Sequence, residues 1–278
     1  MGAFISAIIE QFISEEKMAK LFPKNLFLGS IMGIFLGFFL PACDCAVIPI
    51  SKRLIKKKVP ISVAVSFMLA SPIINPVVLL STYTAFSKVN MNIFYYRLIL
   101  GVVISLIIGI IMGIIFKDKE VLKYNNEKED EYLELEKHKL YKHKVLHVIK
   151  EIFVDTGKDF FDVLKFLVVG ALIASTIQVF MPRSVLTFFN SYPVISIIVL
   201  MIFAYLISLC SNSDSFIGRS LLSTFGSNGV LAYLILGPMI DIKNTIVLLG
   251  NYKSKFTFYL IGLIFLFVFI FSLVVSFL

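Results

Sequence analysis

Apolar residues run through this chain in blocks of bilayer length, set apart by short clusters of charge. Residues 93–116 and 256–278 each exceed the ~20 residues a helix needs to cross a hydrocarbon core. Segments 26–50, 60–86, 160–181, 193–217 and 228–250 read as further spans. With a shortened opening segment, the pattern predicts an all-α membrane protein of about eight transmembrane helices. Basic residues set an orientation through the positive-inside bias. With Lys52, Arg53, Lys56, Lys57 and Lys58 in the cytoplasm, 26–50 runs inward, 60–86 outward and 93–116 inward. The charged stretch 117–151 is then cytoplasmic. Segments 160–181, 193–217, 228–250 and 256–278 follow alternately, which leaves Arg219 inside and Lys88, Arg183, Lys253 and Lys255 outside.

Composition agrees. The 278 residues are 58% hydrophobic and 16% charged, with 28 Phe, too little charge to cover a soluble domain. The net charge is +8, but the basic residues flank spans. No soluble basic face is left for nucleic acid, so the expected partners are the lipid bilayer and a small solute or ion. The start, MGAFISAIIEQFISEEK, lacks a basic n-region and a cleavage site. Gly2 and Ser6 fit the loose myristoylation pattern, a weak match for a chain already held by its spans. His138, His143 and His147 sit in the 117–151 linker. The last two share a helix face and could hold a metal, but a solvated linker helix is the simpler reading, and no metal or cofactor is expected.

The chain reads as two repeats. GAFISAIIEQF at 2–12 aligns with GALIASTIQVF at 170–180, and Cys43 falls opposite Cys210, Lys52 opposite Arg219, Pro72 opposite Pro238 and Asn75 opposite Asp241. The expected organisation is repeat A over 1–116 with a shortened first helix, a linker over 117–151 and repeat B over 152–278. Four spans in each would make the repeats parallel, related by an axis along the membrane normal. DFFDVLKFLVV precedes the second copy of the opening motif, whereas Met1 cuts off the first, so a start upstream of Met1 is expected.

Three constellations carry the candidate chemistry. Ser71-Pro72-Ile73-Ile74-Asn75-Pro76 interrupts one span, and Gly237-Pro238-Met239-Ile240-Asp241 interrupts its counterpart. Proline inside a helix costs ~3 kcal/mol, and Asn75-Pro76 is a good helix start. A kink used for packing would explain one interruption; two at matching places point to paired broken helices around a transport site. All three cysteines, Cys43, Cys45 and Cys210, lie in PACDC and CSNSD, where soft sulfur suits a thiophilic solute, although cysteine also packs as a small apolar residue. Asp44, Asp214 and Asp241 lie in or near apolar spans, where an ionised carboxylate costs at least ~2.5 kcal/mol, so they are candidates for proton relay or counter-charge. Asn212 and Asn244 complete the candidate substrate-binding set.

These motifs resemble the predicted permease family that includes the ArsP organoarsenical exporters and the YraQ-type proteins. PACDCAVIPISKRLIKKKVP, FMLASPIINPVVLLSTYTAF, CSNSDSFIGRS and LGPMIDIKN carry the likeness, which covers all but the linker. The resemblance implies a polytopic permease of the bacterial cytoplasmic membrane, and Cys43, Cys45 and Cys210 as contacts for trivalent arsenic. Some relatives work with a second membrane permease subunit. The expected function is therefore a secondary transporter exporting a small solute, including a thiophilic one such as a trivalent organoarsenical or soft metal. The alternatives are a subunit of a two-component permease and an intramembrane hydrolase using Asp214 with Asp241. No GxxxxGK[ST] loop is present for a self-contained ATP-driven pump.

Overall fold

The computed structural model describes residues 25–39, 44–56, 58–116, 121–123, 193–207 and 211–277, with the helical backbone alone at Asp44, Cys45, Ala46, Arg53 and Phe277. Apart from one antiparallel bridge, the regular elements among these residues are helices. They are α1 (Leu26–Phe39), α2 (Asp44–Lys56), α3 (Ile61–Ile74), α4 (Pro76–Phe86) and α5 (Met91–Ile115). After the gap come α6 (Pro193–Ile207), α7 (Ser211–Met239), α8 (Ile242–Asn251) and α9 (Ser254–Phe277). Four stretches are long and apolar enough to cross a membrane: Ile61–Phe86, Met91–Ile115, Ser211–Asn251 and Ser254–Ser276. α1 and α6 are apolar but shorter.

α3 shows why the bundle closes where it does. A helix apolar on every side must be buried on every side, and all of α3 except Ile61 is buried. Its small residues let neighbouring backbones come close, the usual basis of helix packing where water gives no hydrophobic drive. Gly33 and Gly37 of α1 lie directly against the α3 backbone at Val63 and Ser71; a Cβ at Gly33 would collide with it, and one at Gly37 would press tightly on it. On the other side, Gly101, Gly109 and Gly113 of α5 meet Ile73, Ser66 and Ser62. The outward faces keep their apolar side chains exposed, among them Phe35, Ile99, Ile114, Phe258 and Leu266, as lipid contact requires.

These contacts fix levels along the bundle. Leu26 and Ser62 both abut Gly113, so α1 and α3 start at the same end. α2 therefore returns to the end from which α1 came. A second helix pair lies at the opposite end. Ser196 of α6 meets Gly229 and donates to the Phe225 carbonyl, while Ala204 lies near Gly237. Within α7 the chain reverses at Gly226, whose φ of 74° and ψ of 172° need glycine. The limb 211–225 then packs back along 227–239, with Gly218 against Leu234 and Val230 and Asp214 against Gly237. Two helical hairpins (α1–α2; α6 with 211–225) thus enter the bundle from opposite ends.

Two expectations are corrected by this geometry. Segments 26–50 and 193–217 are not single through-spans: α1 and α2 begin and end at one end, and a separate helix starts at Ser211. The connection at 251–255 also does not lie opposite the linker. Leu122 pairs with Tyr252, the Lys123 amide donates to the Asn251 carbonyl at 3.0 Å, and the Lys253 amide donates to the Val121 carbonyl at 2.8 Å. Phe116 packs on Phe256 and Tyr259, so α9 starts where α5 ends and the two are antiparallel. Parallel repeats would instead have run α5 and α9 in the same direction. An even span count, inferred from hydropathy, had counted each hairpin as a crossing.

Charge supports the corrected levels. Lys52, Lys56, Lys58, Lys123, Lys253 and Lys255 now share the end from which the linker leaves. Arg219, which donates to the Ala85 carbonyl near the end of α4, joins Lys88 at the other.

Candidate functional site

Two helices start deep inside this bundle. α3 runs through Pro72 to Ile74, the chain leaves helical geometry at Asn75 (φ −54°, ψ 129°), and α4 begins at Pro76. The Val77 amide donates to Asn75 Oδ1 at 3.0 Å, which satisfies one of the donors a helix start leaves open. In the other half, α7 runs through Pro238 to Met239, and Asp241 (φ −138°, ψ 177°) caps α8 by accepting from the Asn244 amide at 2.5 Å. Asn75 is 8% exposed and Asp241 1%, so protein and not acyl chains surrounds both. The prolines lie in the last turns of the preceding helices and do not themselves mark the breaks. The Ile240 amide still bonds to the Leu236 carbonyl at 2.9 Å, beyond Pro238.

The short helices α4 and α8 each pack against one of the hairpins. α4 meets the limb 211–225, where Thr82 Oγ1 and Ser215 Oγ are 3.0 Å apart. α8 lies by α2, where Ser51 Oγ and the Tyr252 hydroxyl are 2.7 Å apart and Ser51 also donates to the Ile48 carbonyl. Tyr252 stacks on Phe256, and burial holds its phenol well above the usual range.

A charged cluster joins the halves on the α4 side. Arg97, 1% exposed, donates from Nη1 to Thr82 Oγ1 at 2.6 Å and to Ser215 Oγ at 2.8 Å. The neighbouring Asp214, 2% exposed, accepts from the Tyr233 hydroxyl at 3.0 Å, and both Arg97 and Asp214 act electrostatically on Tyr233. Arg97, Thr82, Ser215 and Tyr233 were not among the expected site residues. The signal for Arg97 was present: an arginine inside the apolar run NIFYYRLILGVV, where a central charge costs ~2.5–3.5 kcal/mol on insertion scales.

Of the expected residues, the structure brings Asp214, Pro238, Asp241 and Asn244 to neighbouring levels of the second half. Asp214 packs on Gly237, and the Asp241 carbonyl accepts from the Thr245 amide and hydroxyl. Asn212 lies in the first turn of α7, two residues before Asp214. Pro72 is buried in α3, and Pro76 opens α4 with its ring exposed. Asp44 and Cys45 lie in the first turn of α2, described in backbone only. Cys43, Cys210, the three histidines, the opening segment and 160–181 fall outside the described residues. No cluster of three or more His, Cys, Asp or Glu side chains is placed to hold a metal among the described residues.

A family model described as "Predicted permease" matches residues 1–277. The chain belongs to this ArsP_1 family. One relative, UPF0718 protein YcgR of Bacillus subtilis, is 39% identical over 276 residues, covering 99% of this chain and 91% of its own. Another, from Streptococcus mutans, is named a putative two-component membrane permease complex subunit. It is 34% identical over 279 residues, covering 99% of this chain and 89% of its own. No solved structure matches. As a member of a permease family with several membrane-spanning helices, the protein is placed among membrane transport proteins of bacterial type.

Proposed function

We propose that this ArsP_1-family protein is a secondary transporter that exports a small thiophilic solute through a site between two broken spans. The observation that carries the reading is the pair of buried helix starts capped by Asn75 and Asp241, at matching places in the two halves. A broken helix leaves backbone amides and carbonyls without intrahelical partners, and hydrocarbon cannot satisfy them. A polar interior can, and in transporters such breaks bind solutes and ions.

The halves are repeats of opposite orientation, each with a hairpin, a broken span and an unbroken span. α1, α2, α3, α4 and α5 correspond to α6, 211–225, 227–239, α8 and α9. Support comes from the antiparallel α5 and α9, the hairpins entering from opposite ends, and the exchange of α4 and α8 between halves. The Lys-rich end is cytoplasmic on the positive-inside rule, which also puts the linker there. Cys43, Cys45 and Cys210 carry the soft sulfurs that suit a thiophilic solute.

The test is a resistance screen in an efflux-deficient bacterium, with trivalent organoarsenicals and soft metals included. Wild type is compared with a Cys43→Ser/Cys45→Ser/Cys210→Ser variant of matched membrane abundance. Protection by wild type that the variant loses supports the reading; equal protection by both returns the cysteines to packing. A second reading, a subunit of a two-component permease, is favoured by the name of the Streptococcus mutans relative. It predicts no protection until a second membrane subunit is expressed with the protein. Hydrolysis by paired acids has less support, since Asp241 caps α8 and Asp214 is held by Tyr233.

A further inference from the structure

The two helix breaks differ in chemistry, and the difference points to a division of labour. On the correspondence between halves, Asn212, Asp214, Asp241 and Asn244 of the second half match Cys45, Val47, Asn75 and Val78 of the first. One side thus offers two carboxylates and two amides where the other offers one amide, one thiol and two valines.

On the oxygen-rich side, Asn244 is 3% exposed and its Oδ1 has no hydrogen-bond partner. A buried amide oxygen without a donor costs ~1–3 kcal/mol, and here it is held in place by its own backbone amide on Asp241. Asn244 lies on the inward face of α8 with the buried Leu248 one turn on, while Ile242 and Ile246 take the exposed face. Asn212 Oδ1, in the first turn of α7, is likewise buried without a partner. Two contacts set the levels of these groups. Asp214 abuts Gly237, one turn before Asp241, and the Tyr205 hydroxyl donates to Thr245 Oγ1 at 3.1 Å from the end of α6.

We infer that Asp214, Asp241, Asn212 and Asn244 form a sodium-ion site that couples transport, separate from the cysteines. Amide oxygens do not titrate near neutral pH, so a proton site has no use for two of them. A dehydrated alkali cation uses every oxygen it can gather, carboxylates and amides together. Oxygen donors without sulfur or imidazole select a hard ion over a soft one. Arg97 near Asp214 offsets part of the negative charge, which suits a monovalent ion better than calcium. The inference rests on the transporter reading only for its role, not for binding.

Binding is measured with 22Na+ on the purified full-length protein in detergent, with unlabelled Na+, K+ and choline as competitors at fixed ionic strength and pH. Saturable binding competed by Na+ alone is expected. Asn244→Ala should weaken it about tenfold or more, the scale of one charge-assisted contact. Asp241→Asn keeps an N-cap side chain while removing charge, so loss of binding there is not loss of the helix start. The triple Cys→Ser variant should bind Na+ like wild type whether or not it protects cells, which separates this inference from the thiophilic-solute reading. No saturable 22Na+ binding overturns it, as does equal binding by Asn244→Ala. A thermal stability that depends on pH but is indifferent to Na+ assigns the acids to protons and overturns it too.

Discussion

Replacing Arg97 with methionine tests whether the charged cluster works as a unit. The guanidinium makes two charge-assisted bonds, to Thr82 and Ser215, each in the range of ~1.5–3 kcal/mol. Its loss does not orphan the hydroxyls. Thr82 Oγ1 still donates to the Val78 carbonyl at 2.8 Å, and Ser215 Oγ keeps Ser81 Oγ at 3.4 Å. Methionine also recovers the several kcal/mol spent on desolvating arginine. These terms nearly cancel, so the contacts alone predict a loss under ~2 kcal/mol. What remains is Asp214, which loses the cation of its buried cluster, and removing one partner of a buried charge pair costs ~3–5 kcal/mol. Arg97→Met should therefore lose about 3–5 kcal/mol, and Arg97→Met/Asp214→Asn should recover part of that. The coupling in the double-mutant cycle should be about 1–3 kcal/mol. Reversible chemical unfolding in mixed micelles, in sodium-free buffer, measures all four proteins. Additivity within ~0.5 kcal/mol would refute the claim that the two charges share one environment.

Glycine substitutions separate tight contacts from open ones: Gly33→Leu and Gly109→Val should abolish folded protein on size-exclusion chromatography. Gly250→Ala and Gly262→Ala should fold like wild type, since nothing lies within 4 Å of a Cβ at either. Asn75→Ala should cost about 1 kcal/mol of stability through the lost cap, with Asn75→Asp recovering most of it in the same unfolding assay. Tyr252 carries a phenol raised above its usual value of about 10. The folded state holds that proton longer than the unfolded one, so its contribution is full below pH ~10 and is lost as pH rises further. Tyr252→Phe should flatten the alkaline fall in stability seen by thermal unfolding and cost ~0.5–1.5 kcal/mol at pH 7 through the lost Ser51 bond.

Much of this was legible in the sequence for identifiable reasons. Apolar length announces membrane helices, and Asn75-Pro76 and Asp241 carry the local chemistry of helix starts whatever surrounds them. Hairpins were less visible. α1 and α2 together have the hydropathy of one crossing, and only the packing of Gly33, Gly37 and Leu26 shows that the chain turns back. Topology followed that miscount, because one crossing more or fewer inverts every later loop, and Lys253 and Lys255 went to the wrong side. Gly226 lies in SLLSTFGSNGV, where Ser-Asn-Gly composition reads as an ordinary loop and hides a tight reversal between two helices. Arg97 escaped notice because the surrounding apolar residues dominate any window average, although one buried cation outweighs several leucines energetically.

The most direct measurement places single cysteines at Asn75 and Asp241 in an otherwise cysteine-free protein. Each is then challenged with a water-soluble, membrane-impermeant thiol reagent from both faces of the membrane. If the two gaps in the helices open onto a common wet pathway, both cysteines react from at least one face, and bound solute slows them. Sites that ignore the aqueous reagent from either face, yet react with a lipid-soluble maleimide, would put those gaps against the bilayer and contradict the account.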